Sequence, residues 1–137
     1  GSGQLLKIAA DGKSVTPVWE TNTLDALTGA MLVVGDHIYG SGYTKNGFQC
    51  LEWKTGKPTY VSKELKRASV IYADGMIYAY SERGAMALVK LDPKTFELAS
   101  LFDIKKGSGP HWAHPVIKDG RLYIRHEDVL LVYDIRK

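Results

Sequence analysis

The sequence has a single cysteine and no long apolar run, the features that mark disulfide-rich and membrane-spanning proteins. Cysteine occurs once, at Cys50, so neither an intrachain disulfide nor a zinc motif of paired cysteines can form. No apolar run approaches the ~20 residues that cross a bilayer as a helix, and the opening GSGQLLKIAADGK lacks the charged start and long apolar stretch of a signal peptide. The sequence therefore predicts no transmembrane segment.

Charge of one sign is also scarce. The 137 residues contain 18 Lys and Arg against 15 Asp and Glu, a net charge of +3, and the longest basic runs are pairs such as Lys66-Arg67. Nucleic-acid-binding proteins usually carry a clustered basic patch or stripe. We therefore expect a solvated surface and no nucleic-acid partner. With 45% hydrophobic residues, the chain has the composition of a globular domain.

Helical periodicity is weak, and a repeated pattern of short strands is present instead. Runs rich in Val, Ile, Leu and Tyr are bounded by Gly, Asp, Asn and Lys, which predicts strands. Three segments share an apolar run, a Gly/Asp pair, an apolar residue and a tyrosine: LVVGDHIYGSGY at 32–43, IYADGMIYAYSE at 71–82 and VIKDGRLYIRHE at 116–127. Each Gly/Asp pair predicts a tight hairpin turn, because Asp-Gly tolerates the positive φ of a type I′ turn.

The period of this repeat predicts the architecture. The aligned Tyr39, Tyr78 and Tyr123 lie 39 and 45 positions apart, which falls within the ~40–50 residues of a propeller blade. A second strand pair follows each hairpin, so the repeating unit is four strands. We predict a half blade, two whole blades and an incomplete last blade, at 4–23, 27–65, 66–106 and 111–137.

The repeated residues resemble a known family. GDHIYGSGYTKNGFQCLEWKTGK at 35–57 resembles the pyrroloquinoline-quinone-like (PQQ-like) repeat of the quinoprotein alcohol dehydrogenase-like superfamily, with the Asp-Gly pair inverted. The stretch at 106–135 resembles the C-terminal end of secreted or periplasmic bacterial proteins with that repeat. The resemblance implies an all-β propeller of about seven or eight four-stranded antiparallel blades around a central channel. It also implies a periplasmic or secreted location.

The number of blades departs from the family pattern. About three and a half blades cannot close a ring, and an open array leaves blade faces and sheet edges bare. Three explanations stay open: a C-terminal piece of a longer protein, which the mid-blade start favours, an oligomer that closes the ring, or an open array with an unusual cap. The predicted partners are therefore the remaining blades or other copies of the chain, and also envelope proteins or a small ligand.

The family's cofactor is not expected here. Resemblance to the quinoprotein dehydrogenases would imply a stacking tryptophan, a vicinal cysteine pair and a calcium site, but Cys50 has no adjacent cysteine. We expect no PQQ and no other cofactor.

Three of the four histidines lie in the last predicted blade. Counting outward from the Asp119-Gly120 turn places two groups of side chains at the open end of the hairpin, which would be the channel rim. One side carries His111, His126 and Asp128, and the other carries Trp112, His114, Arg125 and Glu127.

The first group offers two imidazoles and a carboxylate, which are suitable zinc ligands. The competing interpretation is that His111 and His126 hydrogen-bond neighbouring backbone and loops, and we expect no metal. A hydrolytic His-Asp pair would need an activated nucleophile, and Ser108 is the nearest hydroxyl. We predict no catalytic residue.

The second group is suited to binding. An indole beside a planar cation, as with Trp112 and Arg125, can grip a carboxylate, a sugar ring or a protein side chain, although Trp112 could instead pack between blades. The ligand-binding candidates are His111, Trp112, His114, Arg125 and Glu127. The sequence thus predicts a non-catalytic binding or scaffolding propeller of the bacterial cell envelope, similar in architecture to the outer-membrane assembly lipoproteins of that fold. The alternative is an extracytoplasmic enzyme, a quinone- or metal-dependent oxidoreductase or a hydrolase, with its site at the same rim.

Overall fold

The computed structural model describes residues 2–27, 31–44 and 47–136. Positions 28–30 and 45–46 of the predicted second blade and Lys137 of the last one lie outside the described residues. In the described ranges every regular element is a strand, and no helix is long and apolar enough to cross a membrane. The strands are β1 (Gly3–Ile8), β2 (Val15–Thr21), β3 (Leu32–Val34), β4 (His37–Ser41), β5 (Phe48–Glu52), β6 (Pro58–Val61), β7 (Ala68–Ala73), β8 (Met76–Ser81), β9 (Ala85–Lys90), β10 (Leu98–Asp103), β11 (Val116–Lys118), β12 (Arg121–His126) and β13 (Val129–Asp134).

The strands form four antiparallel sheets in the described part of the chain. The first sheet has two strands (β1–β2), the second and third have four each (β3–β6 and β7–β10), and the fourth has three (β11–β13). Within each sheet every strand pairs with the next one in sequence, which is the meander of a propeller blade. The chain is all-β with four-stranded antiparallel sheets, as the sequence predicts.

The Gly/Asp pairs form the predicted hairpin turns. Asp74 and Gly75 have φ of 51° and 76°, and Asp119 and Gly120 have φ of 50° and 69°. Two central residues with positive φ define a type I′ turn, whose twist matches that of the flanking strands. In the inverted pair at 35–36, only Gly35 has a positive φ. That geometry suits a type II′ turn, so the inversion changes the turn type and keeps the hairpin.

The core lies between successive sheets. Phe48 of the second sheet and Val89 of the third are fully buried in the same cluster. Met86 of the third sheet packs with Leu122 and Ile124 of the fourth. Each sheet therefore buries its apolar side chains against the next, as in a stack of blades.

Candidate functional site

The candidate site is formed by the fourth sheet and the segment that precedes it. The β11–β12 ladder ends at the pair Val116 and Tyr123. The outward count from the Asp119-Gly120 turn is therefore wrong beyond this pair, because 110–115 is not strand. The buried Pro115 has no N–H to donate to a ladder, which explains the end of the strand.

His126 is the best-fixed side chain of this region. It is only 4% exposed, and its Nδ1 lies 2.7 Å from the carbonyl oxygen of Lys106 while its Nε2 lies 2.9 Å from that of Gly109. Carbonyl oxygens only accept, so both bonds form together only when both ring nitrogens carry a proton and the ring is an imidazolium. The bonds to Gly109 and Lys106, aided by the nearby carboxylates of Glu127 and Asp128, raise the pKa of His126.

His111 stacks on this charged ring. The two ring centroids are 3.6 Å apart with planes at 22°. Burial raises the pKa of Tyr80 to about 12, so its hydroxyl keeps its proton and donates to Nδ1 of His111. Burial, together with the adjacent charge on His126, lowers the pKa of His111. His111 is therefore the neutral member of the stacked pair.

The stacked pair is not joined by a third metal-binding side chain. Both nitrogens of His126 donate to carbonyl oxygens and have no lone pair left for a metal. Across residues 2–27, 31–44 and 47–136, no three His, Cys, Asp or Glu side chains come together in a group that could hold a metal ion. The structure thus brings His111 and His126 together without forming a metal-binding set with Asp128, which is exposed.

The other predicted group surrounds a shallow depression of about 180 Å³, here called the Trp112 pocket. It is lined by Pro110, Trp112, Ala113, Arg125 and Glu127. Nε of Arg125 donates to the carbonyl oxygen of Glu127 at 2.8 Å, and no hydrogen bond within the described ranges uses its terminal nitrogens. Glu127 has a φ of 53°, which is rare for a non-glycine residue.

His114 does not line this pocket. It lies exposed on the segment before Pro115. The pocket therefore contains three of the predicted binding residues: Trp112, Arg125 and Glu127.

Comparisons with known proteins bear on the fold. No protein-family model and no curated protein matches the chain. Among solved structures, the chain is similar to BamB from Moraxella catarrhalis, with a TM-score of 0.67 and 17% sequence identity over 95% of this chain. A β-propeller fold is thereby shown. The chain spans 37% of the length of that BamB chain. The predicted class, an all-β propeller with four-stranded antiparallel blades, is confirmed.

The preceding blade of the propeller has a second polar depression, which the sequence analysis did not single out. Arg67 directly precedes β7, and Trp112 likewise lies on the segment that precedes β11. The guanidinium of Arg67 lies 4.4 Å from the ring centroid of Tyr43. It also pairs with Glu82 at 3.7 Å. The basic pair Lys66-Arg67 is the signal in the sequence, and it predicts only a solvated surface. In the structure, the guanidinium of Arg67 instead contacts Tyr43 of the neighbouring blade.

Proposed function

We propose that the chain is part of a non-catalytic binding or scaffolding propeller of the bacterial cell envelope, and that the Trp112 pocket at its channel rim holds a protein partner. The observation that carries this proposal is the indole of Trp112, which is 60% exposed beside an arginine whose terminal nitrogens bond to no described residue. Tryptophan and arginine are the side chains most enriched at binding hot spots.

Trp19 shows how an indole packs between two blades of this chain. Nε1 of Trp19 donates to the carbonyl oxygen of Trp53 at 2.8 Å. Its ring lies so close to Gly56 that a Cβ there would be 2.5 Å away. Trp19 thus packs between two blades, whereas Trp112 has no such contact among the described residues.

The pocket's chemistry suggests what the partner presents. The guanidinium of Arg125 would bind a carboxylate, and the indole of Trp112 with Pro110 would cover an adjacent apolar or aromatic side chain. A depression of about 180 Å³ accommodates one side chain rather than a whole ligand. We therefore propose a partner segment with an acidic residue next to an aromatic or aliphatic one.

The family and the location belong to the same proposal. The repeated Asp-Gly and tyrosine pattern supports membership of the PQQ-like superfamily, and a periplasmic or secreted location follows from that resemblance. The outer face of the fourth sheet is apolar, with Leu130 64% and Val132 49% exposed. We propose that remaining blades of a longer chain or other copies of this one cover Leu130 and Val132, while the Trp112 pocket, on the same face and toward the channel rim, stays open to its partner.

Selection of displayed peptides tests the proposed binding. Random peptides selected on the chain are expected to be enriched in an acidic residue beside an apolar one. Trp112→Ala or Arg125→Gln is expected to weaken their binding by about tenfold or more, the usual effect of truncating a hot spot. Tyr72→Ala and Arg121→Gln, which change exposed residues elsewhere, are the matched controls.

Two outcomes would contradict this proposal. One is that no peptide is enriched, and the other is that enriched peptides bind Trp112→Ala as tightly as the unchanged chain. The enzyme alternative stays a prediction.

A further inference from the structure

We propose that His126 is the positioning residue of the Trp112 pocket, and that the charged His126 and the neutral His111 together form a pH-sensitive latch on the loop that carries Trp112. The loop is residues 105–115, between the end of β10 and the start of β11. That the loop presents a binding site rests on the proposed function. The latch itself rests on the geometry of the two rings.

The hydrogen bonds of this loop depend on two side chains. Those found for residues 105–115 all run to the ring of His111 or His126. His126 holds the carbonyl groups of Lys106 and Gly109, and His111 is itself in the loop and joins it to β8 through Tyr80. The position of the loop, and with it the indole of Trp112, is therefore controlled by the two imidazoles.

Each ring of the latch favours one protonation state. A neutral His126 would turn the lone pair of one nitrogen toward a carbonyl oxygen, so one bond would be lost and replaced by repulsion. A charged His111 would have to donate to the Tyr80 oxygen, so the direction of that bond would reverse. It would also place a second positive charge 3.6 Å from the first. The latch is complete only when His126 is charged and His111 is neutral.

The surrounding groups define the pH range in which the latch is closed. Backbone hydrogen bonds and the carboxylates of Glu127 and Asp128 raise the pKa of His126, so its contribution is lost as pH rises through that raised value. Burial and the charge of His126 lower the pKa of His111, so its contribution is lost as pH falls through that lowered value. Tyr80 faces His111 from β8 and stays protonated over this range. The loop is held best between the two pKa values.

Amide hydrogen exchange of the full chain, measured without any peptide, tests the latch. Protection factors of the loop amides, taken relative to intrinsic rates at each pH, are expected to be highest between the lowered pKa of His111 and the raised pKa of His126, and to fall on both sides. His126→Gln is expected to lower them by about tenfold or more near neutrality, since it removes a charge-assisted bond. His111→Phe, which keeps a stacked ring, is expected to remove the fall on the acidic side. His114→Gln, on the same loop but outside the latch, is the matched control. It is expected to keep the fall in loop protection on both the acidic and the alkaline side.

The inference is overturned if the protection of the loop in the unchanged chain does not vary with pH, a measurement that needs no variant to fold. It is also overturned if His126→Gln and His114→Gln behave alike. Peptide binding measured in parallel separates the two proposals. If loop protection varies with pH as expected but no peptide binds, only the proposed function is contradicted. If peptides bind but loop protection does not vary with pH, only this inference is contradicted.

Discussion

At the scale of single residues, the position of His126 depends on a residue without a side chain. Gly107 has a φ of 95°, and a Cβ added to it would lie 2.6 Å from Nδ1 of His126. Gly75 has a comparable φ of 76° but open space around the same position. The pair separates the cost of backbone strain from the cost of displacing His126, whose backbone oxygen would also lie 2.8 Å from the added Cβ.

We therefore predict different stabilities for two alanine variants. Gly75→Ala is expected to lower the free energy of unfolding by about 1 kcal/mol, the cost of a left-handed alanine. Gly107→Ala should lower it by about 1–3 kcal/mol more, because the added methyl group also pushes His126 off its carbonyl partners. Denaturant unfolding of both variants measures the difference. Equal losses would show that the ring is not tightly held.

At the scale of elements, the sequence predicted the strands better than the segment that carries the site. Asp-Gly pairs and alternating apolar residues act locally, so Asp74-Gly75 and Asp119-Gly120 could be read as hairpin turns without tertiary information. The loop 105–115 follows no such rule. Its path depends on two long-range bonds to His126 and on the Tyr80 hydroxyl of the preceding blade. The candidate residues could thus be named from the sequence, while the stacking of His111 on His126 could not.

Trp19 and Trp112 are expected to contribute differently to the stability of the fold. Trp19 lies on β2 and packs across to the second sheet, so Trp19→Ala is expected to lower the free energy of unfolding by about 3 kcal/mol. Trp112 lies on the loop and is mostly exposed, so Trp112→Ala should change it by less than about 0.5 kcal/mol. Thermal or denaturant unfolding checks both values. A large loss for Trp112→Ala would assign this side chain to packing.

At the scale of the whole molecule, the described blades pack one against the next. The fourth sheet buries one face against the third, through Leu122 and Ile124. Its other face exposes Leu130 and Val132. Leu130 of the fourth sheet occupies the position that Met86 occupies in the third, since Leu130 pairs with Arg125 and Met86 pairs with Tyr80. Met86 is buried by the blade that follows. The outer face of the fourth sheet therefore has the character of a packing surface.

We predict that this face drives self-association of the isolated chain. Sedimentation of the chain is expected to show a mass that rises with concentration, because the exposed apolar area favours burial. Leu130→Lys with Val132→Lys should shift the equilibrium toward monomer, while Val33→Lys, at an exposed apolar position of the second sheet, should not. A chain that stays monomeric without these changes would contradict the prediction.

The central claim is that a charged His126 and a neutral His111 hold the loop beneath the Trp112 pocket. The most direct measurement is the nitrogen-15 NMR spectrum of the imidazole rings as a function of pH. We expect the pKa of His126 to lie above the ordinary value and that of His111 below it. At a pH between the two, both ring nitrogens of His126 and Nε2 alone of His111 are expected to be protonated. A neutral His126 at that pH, or a His111 that takes up its proton first as pH falls, would contradict it.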